Sequence, residues 1–377
     1  MKSNQMTERQ KLVEIAGVFF KLGVISFGGP AAHIAMMEDE VVTKRKWMTR
    51  EHFLDLVGAT NLIPGPNSTE MTMHCGHERA GWKGLFVAGG SFIFPAVILT
   101  GVLAWLYQEY GKLPYVEPFI YGIKPAVIAI IVFAVYRLGK KAFKSVELAI
   151  MGGITLIATL LGVHEIIALF SCGLLGVVWY SVKRGQKTVN SLLLPLFLQV
   201  GVANLGGMKL FLTFLKVGAL LYGSGYVLFA FLDAELVSAG YLTRQELIDS
   251  VAVGQFTPGP VLSTATFIGW QLNGFSGAVL ATLGIFLPSF LFVWILNPLV
   301  AKMRKSVLVG SFLDAVNSAA VAIILSVGIT MFYDSVTDWK TMIITLMSLS
   351  CMILFTSVNS VFIVLGGAVT GYLFSFF

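Results

Sequence analysis

The feature that most constrains the fold of this chain is a series of apolar stretches, each about as long as a lipid bilayer is thick. A helix needs about 20 apolar residues to cross the hydrocarbon core. Only 12% of the residues are charged and 56% are hydrophobic, too apolar a composition for a water-soluble surface. We therefore predict an all-α polytopic membrane protein that contacts the lipid bilayer. The clearest spans are residues 84–107, 118–137, 145–161, 166–182, 277–299, 308–332, 341–356 and 359–377.

Four further apolar stretches contain glycine or proline breaks near their middles. Freed backbone N–H and C=O groups inside a membrane are tolerated only where protein or a water-filled cavity surrounds them. We therefore expect these four stretches to be broken or re-entrant helices. They are residues 12–32, 52–75, 210–232 and 247–271.

The second half of the chain repeats the first. Lys21 matches Lys216, and the Pro64-Gly65-Pro66 motif matches Pro258-Gly259-Pro260. Single-residue deletions shorten the offset along the chain, and Pro95 then matches Pro288. This pattern predicts three units: an N-terminal membrane repeat (1–189), a connecting segment that is a candidate extra crossing (190–206) and a C-terminal membrane repeat (207–377).

Basic residues in the matched loops indicate that the two repeats are inserted in opposite orientations. Residues 44–50 contain four basic side chains, whereas the matching loop has Arg244 alone. In a later pair of matched loops the bias reverses, with Lys112 against three basic residues at 302–305. Cytoplasmic loops are enriched in Lys and Arg, so we predict inverted-topology repeats. The net charge of +6 thus reflects topology, and we expect no nucleic-acid partner.

The two Pro-Gly-Pro breaks are our principal candidate for a binding site. Matching broken helices in inverted repeats are the sequence pattern of a secondary transporter's substrate site. N–H groups freed at the start of a half-helix attract anions, and a tetrahedral oxyanion offers only acceptors. A helix kink whose hydroxyls bond back to the previous turn is the alternative. The candidate residues are Asn61, Pro64, Gly65, Pro66, Asn67, Ser68, Thr69, Gln255, Thr257, Pro258, Gly259, Pro260 and Ser263.

Two lysines at equivalent positions are candidates for the positive charge of the site. Lys21 and Lys216 precede glycine breaks that contain Gly28, Gly29 and Gly223. A lysine at bilayer depth costs about 2.5–3.5 kcal/mol, so its presence in both repeats favours two ammonium groups that face one cavity. The glycines would let the backbone approach a bound anion closely. Snorkelling of each lysine to the membrane surface is the alternative interpretation.

Glu70, His74 and His77 follow the first break at near-helical spacing, and the second repeat has no acidic or imidazole counterparts. We interpret Glu70 and His74 as coupling candidates, with a proton as the coupling ion. An interfacial polar helix end that leans on Arg79 is the alternative. A membrane-embedded hydrolase or lipid-phosphate enzyme built on the three residues is the rival function. We expect no metal and no cofactor, and no Gly-rich loop ending in Gly-Lys-Ser/Thr suggests ATP hydrolysis.

Several runs of this sequence resemble the chromate ion transporter family in its long form, which fuses two repeats. In the first half these are KLGVISFGGPAAH at 21–33, Trp47 and LIPGP at 62–66. In the second half they are FLKVGAL at 214–220 and QFTPGP at 255–260. The resemblance covers essentially the whole chain. The sequence departs from the family pattern at three positions, which are Asn61, Glu70 and Ser224.

The resemblance implies a multi-pass protein of the prokaryotic inner membrane that exports chromate, with sulfate as a related dianion. Combined with the repeat analysis, it predicts a secondary transporter, an antiporter rather than an enzyme, that works by alternating access. The expected partners are therefore a small inorganic oxyanion and a coupling proton. A homodimer is left open as the assembly.

Overall fold

The computed structural model describes residues 6–27, 29–111, 113–183, 206–222, 225–303, 306–355 and 358–376. These residues form fourteen α-helices and no β-strand, which confirms the all-α prediction. Of the connecting segment, residues 190–205 lie outside the described residues, so the extra crossing stays a prediction. The segments long and apolar enough to cross a membrane are Asn67–Tyr110, Glu117–Ala142, Glu165–Lys183, Val261–Leu296 and Val307–Ser335.

The helices follow the same order in both halves of the chain. Those of the first half are α1 (Glu8–Ile25), α2 (Gly29–Glu38), α3 (Arg50–Thr60), α4 (Asn67–Tyr110), α5 (Glu117–Ala142), α6 (Val146–Leu160) and α7 (Glu165–Lys183). Those of the second are α8 (Gly207–Leu220), α9 (Val227–Leu232), α10 (Arg244–Phe256), α11 (Thr264–Met303), α12 (Val307–Ser335), α13 (Trp339–Leu354) and α14 (Ser360–Phe374). Short π-helical turns follow α2 and α9, and a 3₁₀ turn, Val261–Ser263, precedes α11.

Matching threonines begin the helices that lead to the two Pro-Gly-Pro motifs. The Thr49 hydroxyl accepts the N–H of His52 at the start of α3, and the Thr243 hydroxyl accepts that of Glu246 at the start of α10. These bonds satisfy N–H groups that a helix start leaves without an intrahelical partner. Both helices end just before their motif, as the sequence predicts, because proline cannot continue the hydrogen-bond ladder.

The helix α4 is a hairpin of two arms, residues 67–79 and 82–110. Gly81 has a φ of 61°, a left-handed conformation that suits glycine, and it interrupts the helix. The arms then fold back so closely that a Cβ atom at Gly76 would meet the carbonyl oxygen of Gly84. Glycines at both contact points allow this approach.

The helix α11 has the same reversal in the second half. Gly274 has a φ of 57°, and Gly269 lies against the backbone of Gly277. The equivalent arms are residues 264–272 and 275–303. The repeated glycine spacing therefore encodes a repeated helical hairpin.

The long arms of α4 and α11 pack against each other and run in opposite directions. Phe86 stacks on Phe290, with ring centroids 5.4 Å apart. Towards the other end of the α4 arm, the carbonyl oxygen of Ala104 accepts a hydrogen bond of 3.0 Å from the side chain of Gln271, which lies at the end of the short arm of α11, just before the turn at Gly274 that begins its long arm. The long arms of α4 and α11 are therefore antiparallel.

The equivalent helices α5 and α12 are also antiparallel. A Cβ atom at Gly328 would lie 3.2 Å from the Ile131 side chain, whereas Lys144 forms an ion pair of 2.6 Å with Asp314. Because two pairs of equivalent helices run in opposite directions, the repeats have inverted topology, as predicted from the loop charges.

The two repeats interlock through small residues. The helix α5 packs on α13 and α14, and α12 packs on α6 and α7. Gly122 of α5 meets the backbone of Gly367 and Gly371, and a Cβ atom at Gly176 of α7 would lie 2.5 Å from the Cβ of Ala315. Small residues allow such close contact between membrane helices. Neither repeat therefore forms its interior alone.

Candidate functional site

Each Pro-Gly-Pro motif is held by the first helix of the other repeat. The backbone N–H of Gly65 donates to the carbonyl oxygen of Leu221 at 2.7 Å, and that of Gly259 donates to the carbonyl oxygen of Ser26 at 2.8 Å. Ser26 ends α1 and Leu221 ends α8, at equivalent positions. Gly65 and Gly259 have φ values of 144° and 86°, which side chains other than glycine rarely adopt. The two bonds are related by an approximate two-fold symmetry.

The starts of both half-helices line one cavity of about 430 Å³. Residues 66–68 border it from the first repeat, and Val261 and Leu262 border it from the second. The structure thus brings the two breaks together at one cavity. The other predicted residues in its lining are Gly29, Asn61 and Gln255.

The remaining predicted residues of the breaks do not line the cavity: they are Pro64, Gly65, Thr69, Thr257, Pro258, Gly259, Pro260 and Ser263. One of their hydroxyls follows the alternative interpretation, since Thr257 donates to the carbonyl oxygen of Gly254 at 3.3 Å. The Ser263 hydroxyl instead accepts a hydrogen bond of 3.2 Å from Thr100 of the other repeat. Gly28 and Gly223 lie outside the described residues.

Hydrogen-bond donors without an acceptor border the cavity. The Pro66 carbonyl accepts the N–H groups of Thr69 and Glu70, and no described residue accepts those of Asn67 or Ser68. Gln255 is only 7% exposed, and its Nε2 has no partner among the described residues. A buried donor without an acceptor is costly, and a bound anion would satisfy it.

The positive charge of the cavity comes from α5. Arg137 and Lys141 both line it, and neither forms an ion pair with a described carboxylate. Residues four apart share a helix face, which explains why both side chains reach the same space. The neighbouring Lys140 lies instead over the ring of Tyr136, 4.2 Å from its centroid. The sequence pattern predicts only a topology role for basic residues between the spans, because the i, i+4 spacing of Arg137 and Lys141 indicates a shared helix face but not what that face contacts.

Lys21 and Lys216 do not line the cavity. Lys21 Nζ lies 3.0 Å from Glu40 Oε1, and Lys216 Nζ lies 2.6 Å from Glu235 Oε1. Each lysine is therefore neutralised within its own repeat, at equivalent positions. The structure differs here from the expected pair of ammonium groups at one cavity, because a nearby carboxylate engages each of them.

The Glu40 carboxyl is the centre of a cluster of basic groups. Burial alone would raise its pKa, but hydrogen bonds from Lys21, Lys44 and Arg45 outweigh this effect and lower the pKa from 4.5 to about 2. The pKa of Glu235 is lowered in the same way, since hydrogen bonds from His164 and Lys216 outweigh its burial. Both carboxylates therefore remain ionised at neutral pH.

Glu70 and His74 are buried, 0% and 1% exposed, and lie outside the cavity lining. Arg79 bonds to Glu14 at 2.8 Å instead of supporting them. Glu70 and His74 are thus not the interfacial helix end of the alternative interpretation. Within the described part of the chain, no group of three His, Cys, Asp or Glu residues is arranged to hold a metal ion.

Two inverted repeats whose broken helices meet around an internal cavity define a membrane transporter. The sequence profile of the chromate transporter family matches residues 13–177 and again residues 208–372. The chain therefore belongs to the chromate transporter family. Members of this family are transporters and not enzymes, which excludes the rival hydrolase.

Similar proteins cover nearly the whole chain. A probable chromate transport protein of Synechococcus elongatus is 31% identical over 90% of this chain and 89% of its own length. A chromate transport protein of Cupriavidus metallidurans is 28% identical over 96% of this chain and 92% of its own. A third, from Pseudomonas aeruginosa, is 29% identical over 81% and 77%. No solved structure matches this chain.

Proposed function

We propose that this transporter exports chromate, or a related tetrahedral dianion such as sulfate, across the prokaryotic inner membrane. The observation that carries the proposal is the single cavity bordered by both half-helix starts and by Arg137. The names of the similar proteins, chromate transport proteins of two bacteria, support the choice of substrate.

The chemistry of the cavity suits an anion. Its described lining contains Arg137 and Lys141 and no aspartate or glutamate. The open N–H groups at Asn67 and Ser68 and the amide of Gln255 provide donors without a competing acceptor. Hydrogen bonds to charged groups contribute about 1.5–3 kcal/mol each, so a few of them suffice for micromolar binding.

We assign transport to alternating access between the two repeats. In an inverted pair, exchanging the conformations of the repeats converts an outward-open state into an inward-open one. The half-helix starts would stay beside the anion while the helices around them move. Proton coupling, with Glu70 and His74 as the candidate carriers, would make the protein an antiporter.

Purified protein in liposomes tests this proposal. We expect uptake of labelled chromate, with competition by sulfate, and faster uptake when a pH gradient is imposed. Arg137→Gln should reduce chromate uptake at least tenfold, because it removes charge from the cavity lining. Lys140→Gln is the matched control, since Lys140 lies outside this lining, and it should transport like the wild type. If liposomes that contain the wild-type protein take up neither chromate nor sulfate, the assigned substrate is wrong.

A further inference from the structure

The first Pro-Gly-Pro motif closes over a buried carboxyl group. Glu70 is completely buried, and neither of its carboxyl oxygens has a hydrogen-bond partner among the described residues. A Cβ atom at Gly65 would collide with Glu70 Oε1 and would lie 2.6 Å from Ser289 Oγ. The Ser289 hydroxyl is also fully buried and without a described partner. A carboxyl from one repeat and a hydroxyl from the other thus lie together against Gly65.

No cation among the described residues forms an ion pair with this carboxyl. The helix α11 contributes no ionisable side chain between Thr264 and Leu296, and the adjacent chain after α8 contributes the phenol of Tyr222. On α4 itself, His74 lies one turn further on and makes no hydrogen bond to the Glu70 carboxyl, whose oxygens have no partner among the described residues. Of the charged groups on the other elements packed against α4, Glu14 pairs with Arg79, Lys21 with Glu40, His52 with Glu78 and Asp249 with Lys124, and His33 borders the cavity.

An ionised carboxylate in such a place would be strongly unfavourable, so burial selects the neutral acid. A protonated carboxyl also has an O–H that can be donated to a neighbour such as the Ser289 hydroxyl. The matching stretch of the second repeat, residues 261–266, contains only apolar, serine and threonine residues, and Ala96 replaces Ser289. The arrangement therefore occurs once in each chain.

We propose that Glu70 is the proton-binding site of this transporter. The carboxyl holds its proton while the Pro64-Gly65-Pro66 motif is bonded to Leu221, and it releases that proton to water when the motif moves away from the second repeat. The carboxylate left behind is then hydrated. This inference rests on the proposed transport function and assigns one coupling proton per chain.

Infrared difference spectroscopy of the full-length protein tests the protonation directly. We expect the wild type at pH 7 to show the C=O stretch of a protonated carboxyl that is absent from Glu70→Gln. Glu78→Gln is the matched control, because Glu78 lies at the other end of the same arm and pairs with His52. Identical spectra for wild type and Glu70→Gln in this region would overturn the proposal, whatever the substrate of the transporter.

Liposome transport tests the coupling. Glu70→Gln mimics the protonated acid, so it should still exchange chromate while the ratio of rates with and without a pH gradient falls to about 1. Ser289→Ala, which retains the carboxyl, should keep the gradient effect and shift its pH midpoint. A Glu70→Gln variant that responds to the gradient like the wild type would overturn the proposal and leave chromate transport standing. Coupling to Na⁺ instead of a pH gradient would overturn it as well.

Discussion

The backbone N–H of Gly259 donates a hydrogen bond of 2.8 Å to the carbonyl oxygen of Ser26, and this bond joins the two repeats of the chain. The equivalent bond from Gly65 to Leu221 joins them again, in the opposite sense. The broken helix of each repeat is therefore positioned by the other repeat. The two bonds hold the breaks on either side of the cavity.

Gly259→Ala should destabilise the protein more than Gly274→Ala. Both glycines have positive φ, so each substitution carries a backbone cost of about 1–2 kcal/mol. A Cβ atom at Gly259 would also lie 2.9 Å from that of Ala96, whereas one at Gly274 has open space. Thermal unfolding in detergent measures the difference. Equal losses of stability would show that the motif is not tightly packed.

Gln255→Leu should weaken chromate binding about tenfold or more, because it removes a buried amide donor from the cavity at little change in volume. Thr257→Val is the control, since the Thr257 hydroxyl bonds to its own helix and lies outside the cavity lining. A binding titration at fixed pH compares the two variants. Equal chromate affinities of Gln255→Leu and Thr257→Val would show that the Gln255 amide does not bind the anion.

Lys216→Met should lower thermal stability and leave chromate affinity within about threefold of the wild type. The substitution leaves Glu235 without its closest partner, 2.6 Å away, but removes no group from the cavity. Lys141→Met should instead weaken chromate affinity and leave thermal stability unchanged, because Lys141 lines the cavity and has no described carboxylate partner. A loss of chromate affinity in Lys216→Met with unchanged thermal stability would show that Lys216 belongs to the substrate site.

The stabilising effect of Glu40 should depend on pH in one direction only. Its pKa is lowered from 4.5 to about 2, so its contribution is complete above pH 4.5 and is lost as the pH falls toward 2. The difference in melting temperature between wild type and Glu40→Gln should therefore be constant from pH 8 to pH 5 and shrink below pH 4.5. A difference that shrinks between pH 8 and pH 6 would contradict the ion-pair cluster.

The helices, their breaks and the inverted repeats could be predicted because each depends on local or repeated signals. Apolar length defines the spans, proline and glycine define the breaks, and loop charge defines orientation. The meeting of the breaks at Pro66 and Val261 is consistent with the repeat, since equivalent positions that lie near the symmetry axis of an inverted pair face each other.

The charges of the site could not be predicted equally well, because they depend on which helix faces the cavity. Arg137 belongs to α5, which packs across the repeat boundary, and no local pattern reports that packing. Conversely, Lys21 has Glu40 at a separation of 19 residues, and Lys216 has Glu235 at the same separation. The repeated acid was a signal that each lysine is paired, and the hypothesis of a shared cationic site did not use it.

An anomalous difference map from crystals of the protein grown with chromate would locate the anion directly. We expect a chromium peak in the cavity between Ser68 and Leu262, within hydrogen-bonding reach of the Arg137 guanidinium. A peak beside Lys21 or Lys216 in place of one in the cavity would contradict this expectation, as would an empty cavity in protein shown to be saturated with chromate.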